Sequence, residues 1–170
     1  ICGDKISYPN KFSRAFLMQL PIEKFIVEYS PEWANGKRYD NYFEYKGNKY
    51  ILEMDGGFHF KNNNLSGQTY EESRRIDGEK DELAKSHNIF VIRIDSRKSK
   101  LNYIKNNIIN SELNKIFDLS LINWDSCNKF AHKNYIKEIC NYYNNISTDL
   151  EMISSTYGIS IYSIKEYLRY

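Results

Sequence analysis

Arg38-Tyr-Asp-Asn-Tyr-Phe-Glu-Tyr-Lys-Gly-Asn-Lys-Tyr-Ile-Leu-Glu-Met-Asp-Gly-Gly-Phe-His-Phe60 is the stretch on which the fold turns. Residues 38–45 alternate with a period of two, Lys46-Gly47-Asn48 is turn-forming, and residues 49–55 are again strand-like, so the segment predicts a hairpin. Gly56-Gly57 closes the second arm, and the polar run from Lys61 to Gly67 predicts a loop. Upstream, Phe25 to Tyr29 predicts a further strand. Before it, Ser7 and Pro9 open an amphipathic helix carrying Phe12, Phe16, Leu17 and Leu20, which ends ahead of Pro21. Downstream, a charged helix over 70–86 tolerates Gly78 and leads into Ile89-Phe-Val-Ile-Arg-Ile94. Such a continuous apolar strand suits the interior of a parallel or mixed sheet. The predicted order is αβββαβ, an α/β fold with a mixed central sheet.

After Asp95 the chain turns helical and lysine-rich. Leu101, Ile104, Ile108 and Ile109 share one helical face, which Leu113, Ile116 and Phe117 continue, and another helix is expected from about Lys129 to Tyr143. Residues 149–168 read as two short helices around Gly158, with helix-turn-helix spacing. We expect a core over residues 1–118 and a C-terminal helical extension over 119–170. A length of 170 residues suits one domain of ordinary size. Mean hydropathy of -0.66 and the lack of a long apolar run argue against a membrane resident. The net charge of +2 neither demands nor excludes nucleic acid. Cys2, Cys127 and Cys140 form neither a disulfide framework nor a zinc-type pair, which points to a reducing, cytoplasmic compartment. The chain starts at Ile1 rather than Met, so it is read as part of a larger parent chain.

The chemistry lies in acidic residues at strand ends. Glu53 and Asp55 are two apart and face one side of a strand. Hairpin pairing brings Asp40 toward the same place. Single strand carboxylates usually face solvent, but the run Ile51-Leu-Glu-Met-Asp55 is otherwise apolar, and a buried charge there needs a partner. Three crowded carboxylates suit a hard divalent cation, Mg²⁺ or Mn²⁺. His59, just past the strand, is a candidate acid, base or phosphate contact. Asp77 and Lys80 share a face of the charged helix, with Lys80 the candidate for contacting phosphate or supporting the site.

These residues resemble the PD-(D/E)XK nuclease superfamily, whose core is restriction-endonuclease-like. The carrying pattern is Arg38-Tyr-Asp40, Ile51-Leu-Glu53-Met-Asp55-Gly-Gly-Phe-His59-Phe, Asp77-x-x-Lys80 and Val91-Ile-Arg93, spread over residues 7–95. Within the superfamily it is similar to very-short-patch repair endonucleases and related phage homing endonucleases. The resemblance implies that Asp40 and Glu53 are metal ligands and that Asp55 stands where the usual pattern has Lys, leaving His59 or Lys80 to assist the attacking water. It also implies 5′-phosphate and 3′-hydroxyl products. Relatives often carry Glu early in the first helix, where this chain has Asn10.

Double-stranded DNA is the expected partner, possible self-association into a homodimer being left open. Helix-turn-helix placement would put Ser160, Tyr162, Ser163 and Lys165 near bases, and Lys98, Lys100 and Lys105 beside phosphates. Leu150, Ile153, Ile159, Ile164 and Leu168 equally suit a helical hairpin that merely packs on the core. The expected function is a divalent-metal-dependent DNA endonuclease of homing or repair type. The alternative is a noncatalytic DNA-binding module on a decayed nuclease fold.

Overall fold

Ser7 starts the first helix in the computed structural model, which describes residues 6–56 and 69–169. Its hydroxyl accepts from the Asn10 amide at 3.4 Å, and α1 runs Tyr8–Leu17 with Pro9 in its first turn. Phe12, Phe16 and Leu17 are fully buried. Strands β1 (Lys24–Tyr29), β2 (Tyr39–Tyr45) and β3 (Asn48–Asp55) follow, then α2 (Tyr70–Ser86) and β4 (Ile89–Asp95). The sheet order is β1-β2-β3-β4, antiparallel across the first two junctions and parallel between β3 and β4. The expected α/β class with a mixed sheet is therefore what the chain adopts.

Local chemistry explains these elements. Lys46 and Gly47 both take positive φ, 49° and 74°, and join Tyr45 to its partner Asn48 in the two-residue turn that matches strand twist. Thr69 and Glu72 cap α2 reciprocally, each side chain accepting from the other's backbone amide at 3.1 Å. As the crossover between parallel neighbours, α2 covers one sheet face, with Tyr42, Ile51, Ala84 and Ile89 buried there. The opposite face is the main core. There Phe43, Leu52, Met54, Ile92 and Ile94 pack with α1 and with the helices α3 (Leu101–Ile109), α4 (Leu113–Ile116) and α5 (Trp124–Ala131).

Helix boundaries depart from the sequence expectation in two places. The face begun at Leu101 is interrupted between Ile109 and Leu113, and the single helix expected from Lys129 to Tyr143 is instead the end of α5 and a separate α6 (Tyr135–Asn145). The second break follows from capping: Asn134 accepts from Lys137 N and starts α6, just as Asn123 accepts from Ser126 N and starts α5. β4 is also an edge strand, with Phe90 60% exposed, rather than a strand covered throughout.

The C-terminal helices α6, α7 (Leu150–Tyr157) and α8 (Ile161–Tyr167) gather their own apolar cluster around Ile139, Ile153, Ile159 and Ile164. Gly158 ends α7 at φ +58°, and a Cβ there would meet Met18 Sδ at 3.0 Å, so the turn presses against the end of α1. An ionic contact joins the same regions. Arg14 on α1 is 1% exposed, with Glu28 Oε1 3.5 Å from its Nη2, while Glu28 Oε2 accepts from Ser160 Oγ at 3.0 Å. Glu28 takes φ +52°, unusual for a non-glycine residue, and the kink breaks strand alternation so that Ile26 and Tyr29 both face α2. Among the described residues no helix is long and apolar enough to cross a membrane.

Candidate active site

The hairpin register positions the first two carboxylates. Asn41 pairs with Leu52, so one step further along the antiparallel ladder Asp40 stands opposite Glu53. Asp40 is partly buried and held at both oxygens: Asn10 Nδ2 donates to Oδ1 at 3.1 Å and Met54 N donates to Oδ2 at 2.9 Å. Asn10 is thus in direct contact with Asp40, as an amide donor.

Glu53 is 6% exposed in the middle of an apolar strand. Lys80, projecting from α2, brings its Nζ to 2.5 Å from Glu53 Oε1. Burial, and then the neighbouring charge of Asp40, push the Glu53 carboxyl up to about 7 against the opposing pull of Lys80 and Arg93. Tyr39 supports the lysine. Its hydroxyl donates to the Lys80 carbonyl at 2.8 Å, and its ring lies 4.8 Å from Nζ. Burial, followed by the charge of Glu53, holds the Tyr39 phenol up at about 12, so it remains a donor at neutral pH.

Asp55 has a different neighbourhood. Its Oδ1 accepts from Arg93 Nη1 at 2.9 Å, and the same guanidinium reaches Asp77 at 3.4 Å and Asp81 at 2.9 Å. The structure therefore brings Asp40, Glu53 and Lys80 together and puts Asp55 beside them in an arginine-centred cluster. Among the described residues, no group of three His, Cys, Asp or Glu side chains is arranged to hold a metal ion. His59 lies outside the described residues.

No protein-family model, curated protein or solved structure matches the chain.

The sequence reading assigned no role to Arg93, Asp81 or Tyr39. Arg93 carried a readable signal, because an arginine inside Ile89-Phe-Val-Ile-Arg-Ile94 demands a partner for the same reason as Glu53. Nothing in the spacing of Tyr39 distinguishes it from 14 other tyrosines, the chain having 15 in all.

The residues nominated for DNA contact divide. Ser160 and Ser163 turn inward: both hydroxyls lie within hydrogen-bonding distance of Glu28 Oε2, at 3.0 and 3.4 Å, and Ser160 also caps α8. Tyr162 is 72% exposed, and Lys165 is exposed as well. Lys98 and Lys100 are exposed before α3, with Lys98 Nζ 5.4 Å from the Tyr103 ring, whereas Lys105 is half-buried beside Trp124.

Proposed function

We propose that this chain is a divalent-metal-dependent DNA endonuclease built on a restriction-endonuclease-like core. The observation that carries the reading is the buried Glu53 carboxylate, opposed to Asp40 across the hairpin and compensated at close range by Lys80. A buried carboxylate whose ionisation is opposed by burial and by a neighbouring negative group suits a hard cation, and magnesium is commonly held by one or two carboxylates with water and substrate phosphate filling the remaining positions. By that donor chemistry Asp40 and Glu53 fit Mg²⁺ or Mn²⁺. When bound, such an ion would supply Lewis-acid polarisation of the phosphate and a more acidic water.

The protein's own groups have definable tasks in this reading. Asn10 and the Met54 amide fix the orientation of Asp40, because each holds one of its oxygens. Lys80 offsets the charge of Glu53 and adds a positive group against the charge that grows on a phosphate under attack. Tyr39 anchors that lysine at its carbonyl and at its ammonium. The exposed Tyr162 and Lys165 of α8, with Lys98 and Lys100, are the side chains offered to double-stranded DNA.

One observation favours the noncatalytic DNA-binding alternative: the described residues contain no three-ligand acidic group, and Asn10 donates to Asp40 where an additional carboxylate would be a ligand. Supercoiled-plasmid cleavage separates the two. The nuclease reading predicts nicked or linear product with Mg²⁺, none with EDTA, and loss of cleavage in folded Asp40→Ala and Glu53→Gln variants. DNA binding without metal-dependent cleavage by the wild type would favour the alternative.

A further inference from the structure

Helix α2 delivers Lys80, yet apolar packing does little to hold it in place. Of its 17 residues only Ala84 is fully buried. Besides the Tyr39 hydroxyl at the Lys80 carbonyl, the turn bearing Lys80 is tied to the sheet through charge. Asp77 and Asp81 are four apart and lie on one helix face, bracketing Lys80 in sequence. Both meet Arg93: Asp81 Oδ1 lies 2.9 Å from Nη2 and 3.2 Å from Nε, and Asp77 Oδ1 lies 3.4 Å from Nη2. Arg93 is the strand neighbour of Glu53 in the parallel β3–β4 register. Its guanidinium nevertheless extends past Glu53 to span Asp55 at the end of β3 and the two aspartates on α2. One side chain thus links the strand that carries Glu53 to the helix turn that carries Lys80.

We propose that Arg93 is a positioning residue, clamping the 77–81 turn of α2 to the end of β3 and thereby setting the Lys80 ammonium against Glu53. As a contribution to cleavage this rests on the nuclease reading; as a statement about Lys80 it does not. The geometry calls for arginine in particular. A planar fork with five donors contacts several carboxylates at once, whereas a lysine at the same position is a single point charge. Simple neutralisation of the acidic cluster would need only the charge.

Arg93→Lys therefore discriminates, with Asp81→Asn as a milder variant that leaves the arginine in place. The first readout is acetylation of the metal-free folded protein by limiting acetic anhydride, followed by mass spectrometry. In the wild type Lys80 is expected to react far more slowly than the exposed Lys85. In Arg93→Lys its labelling should rise by about tenfold toward that of Lys85, with a smaller rise in Asp81→Asn. The second readout is cleavage. Misplacing the ammonium should lower kcat by up to about 100-fold with little change in KM. The Lys80→Ala/Arg93→Lys double variant should be no slower than Lys80→Ala alone, because Arg93 acts through Lys80. Unchanged Lys80 labelling in folded Arg93→Lys overturns the proposal, as do multiplying rate losses in the double variant. If the wild type does not cleave DNA, the nuclease reading fails while the labelling still decides the clamp.

Discussion

Replacing Glu53 by Gln keeps the shape of a buried side chain and removes its titration. In the folded protein the carboxyl ionises near 7, against a reference value of 4.5, chiefly because it is buried and faces Asp40. The group therefore binds its proton more tightly when folded than when unfolded. Its stabilising contribution is complete below about pH 4.5 and is lost as pH rises through about 7. At roughly 1.4 kcal/mol per pH unit the full loss is about 3 kcal/mol, most of which falls between about pH 5 and pH 8. Urea unfolding of both proteins at those two pH values gives the test. Glu53→Gln changes the environment of Lys80 at either pH, so the informative quantity is the pH dependence of the difference. Relative to wild type, the variant should gain roughly 2 to 3 kcal/mol on going from the acidic to the alkaline condition. A difference that stays constant with pH would refute the account of Glu53 as a carboxylate forced to ionise in an apolar strand.

Other consequences are measurable with simpler variants. Glu28→Ala leaves the Arg14 guanidinium buried without its acidic neighbour and should cost about 3 kcal/mol by urea unfolding, while Arg14→Met/Glu28→Ala should recover much of the loss. Thr69→Ala removes the reciprocal cap of α2 and should cost about 1 kcal/mol, with faster amide exchange confined to the first turns of the helix. Lys165→Ala should weaken binding to labelled duplex DNA, measured by fluorescence anisotropy, and reduce the salt slope by about one without altering the thermal midpoint. Serine-to-alanine changes at 160 and 163 should instead act mainly on stability, because both hydroxyls face Glu28.

The elements that could be read from the sequence are those whose signals are local. Ser7 with Pro9 gave the start of α1 and Lys46-Gly47 the hairpin; each depends on neighbours within a few residues. Burial of Glu53 was legible too, because a lone acid in an apolar strand contradicts its surroundings. What remained hidden is non-local. The partnership of Arg93 with Asp77 and Asp81 depends on the rotation of α2 over the sheet, and that of Glu28 with Arg14 and Ser160 on how three separate elements meet. Helix boundaries after β4 failed for a further reason: a composition rich in Asn conceals which asparagines cap helices, as Asn123 and Asn134 do.

The central claim is that the carboxylates of Asp40 and Glu53 share a divalent ion, and a crystal soaked in Mn²⁺ tests it without recourse to activity. The account predicts an anomalous difference peak within coordinating distance of both carboxylates, absent from the same crystal form of Asp40→Ala. Well-ordered Asp40 and Glu53 side chains with no peak between them at saturating Mn²⁺ would contradict it.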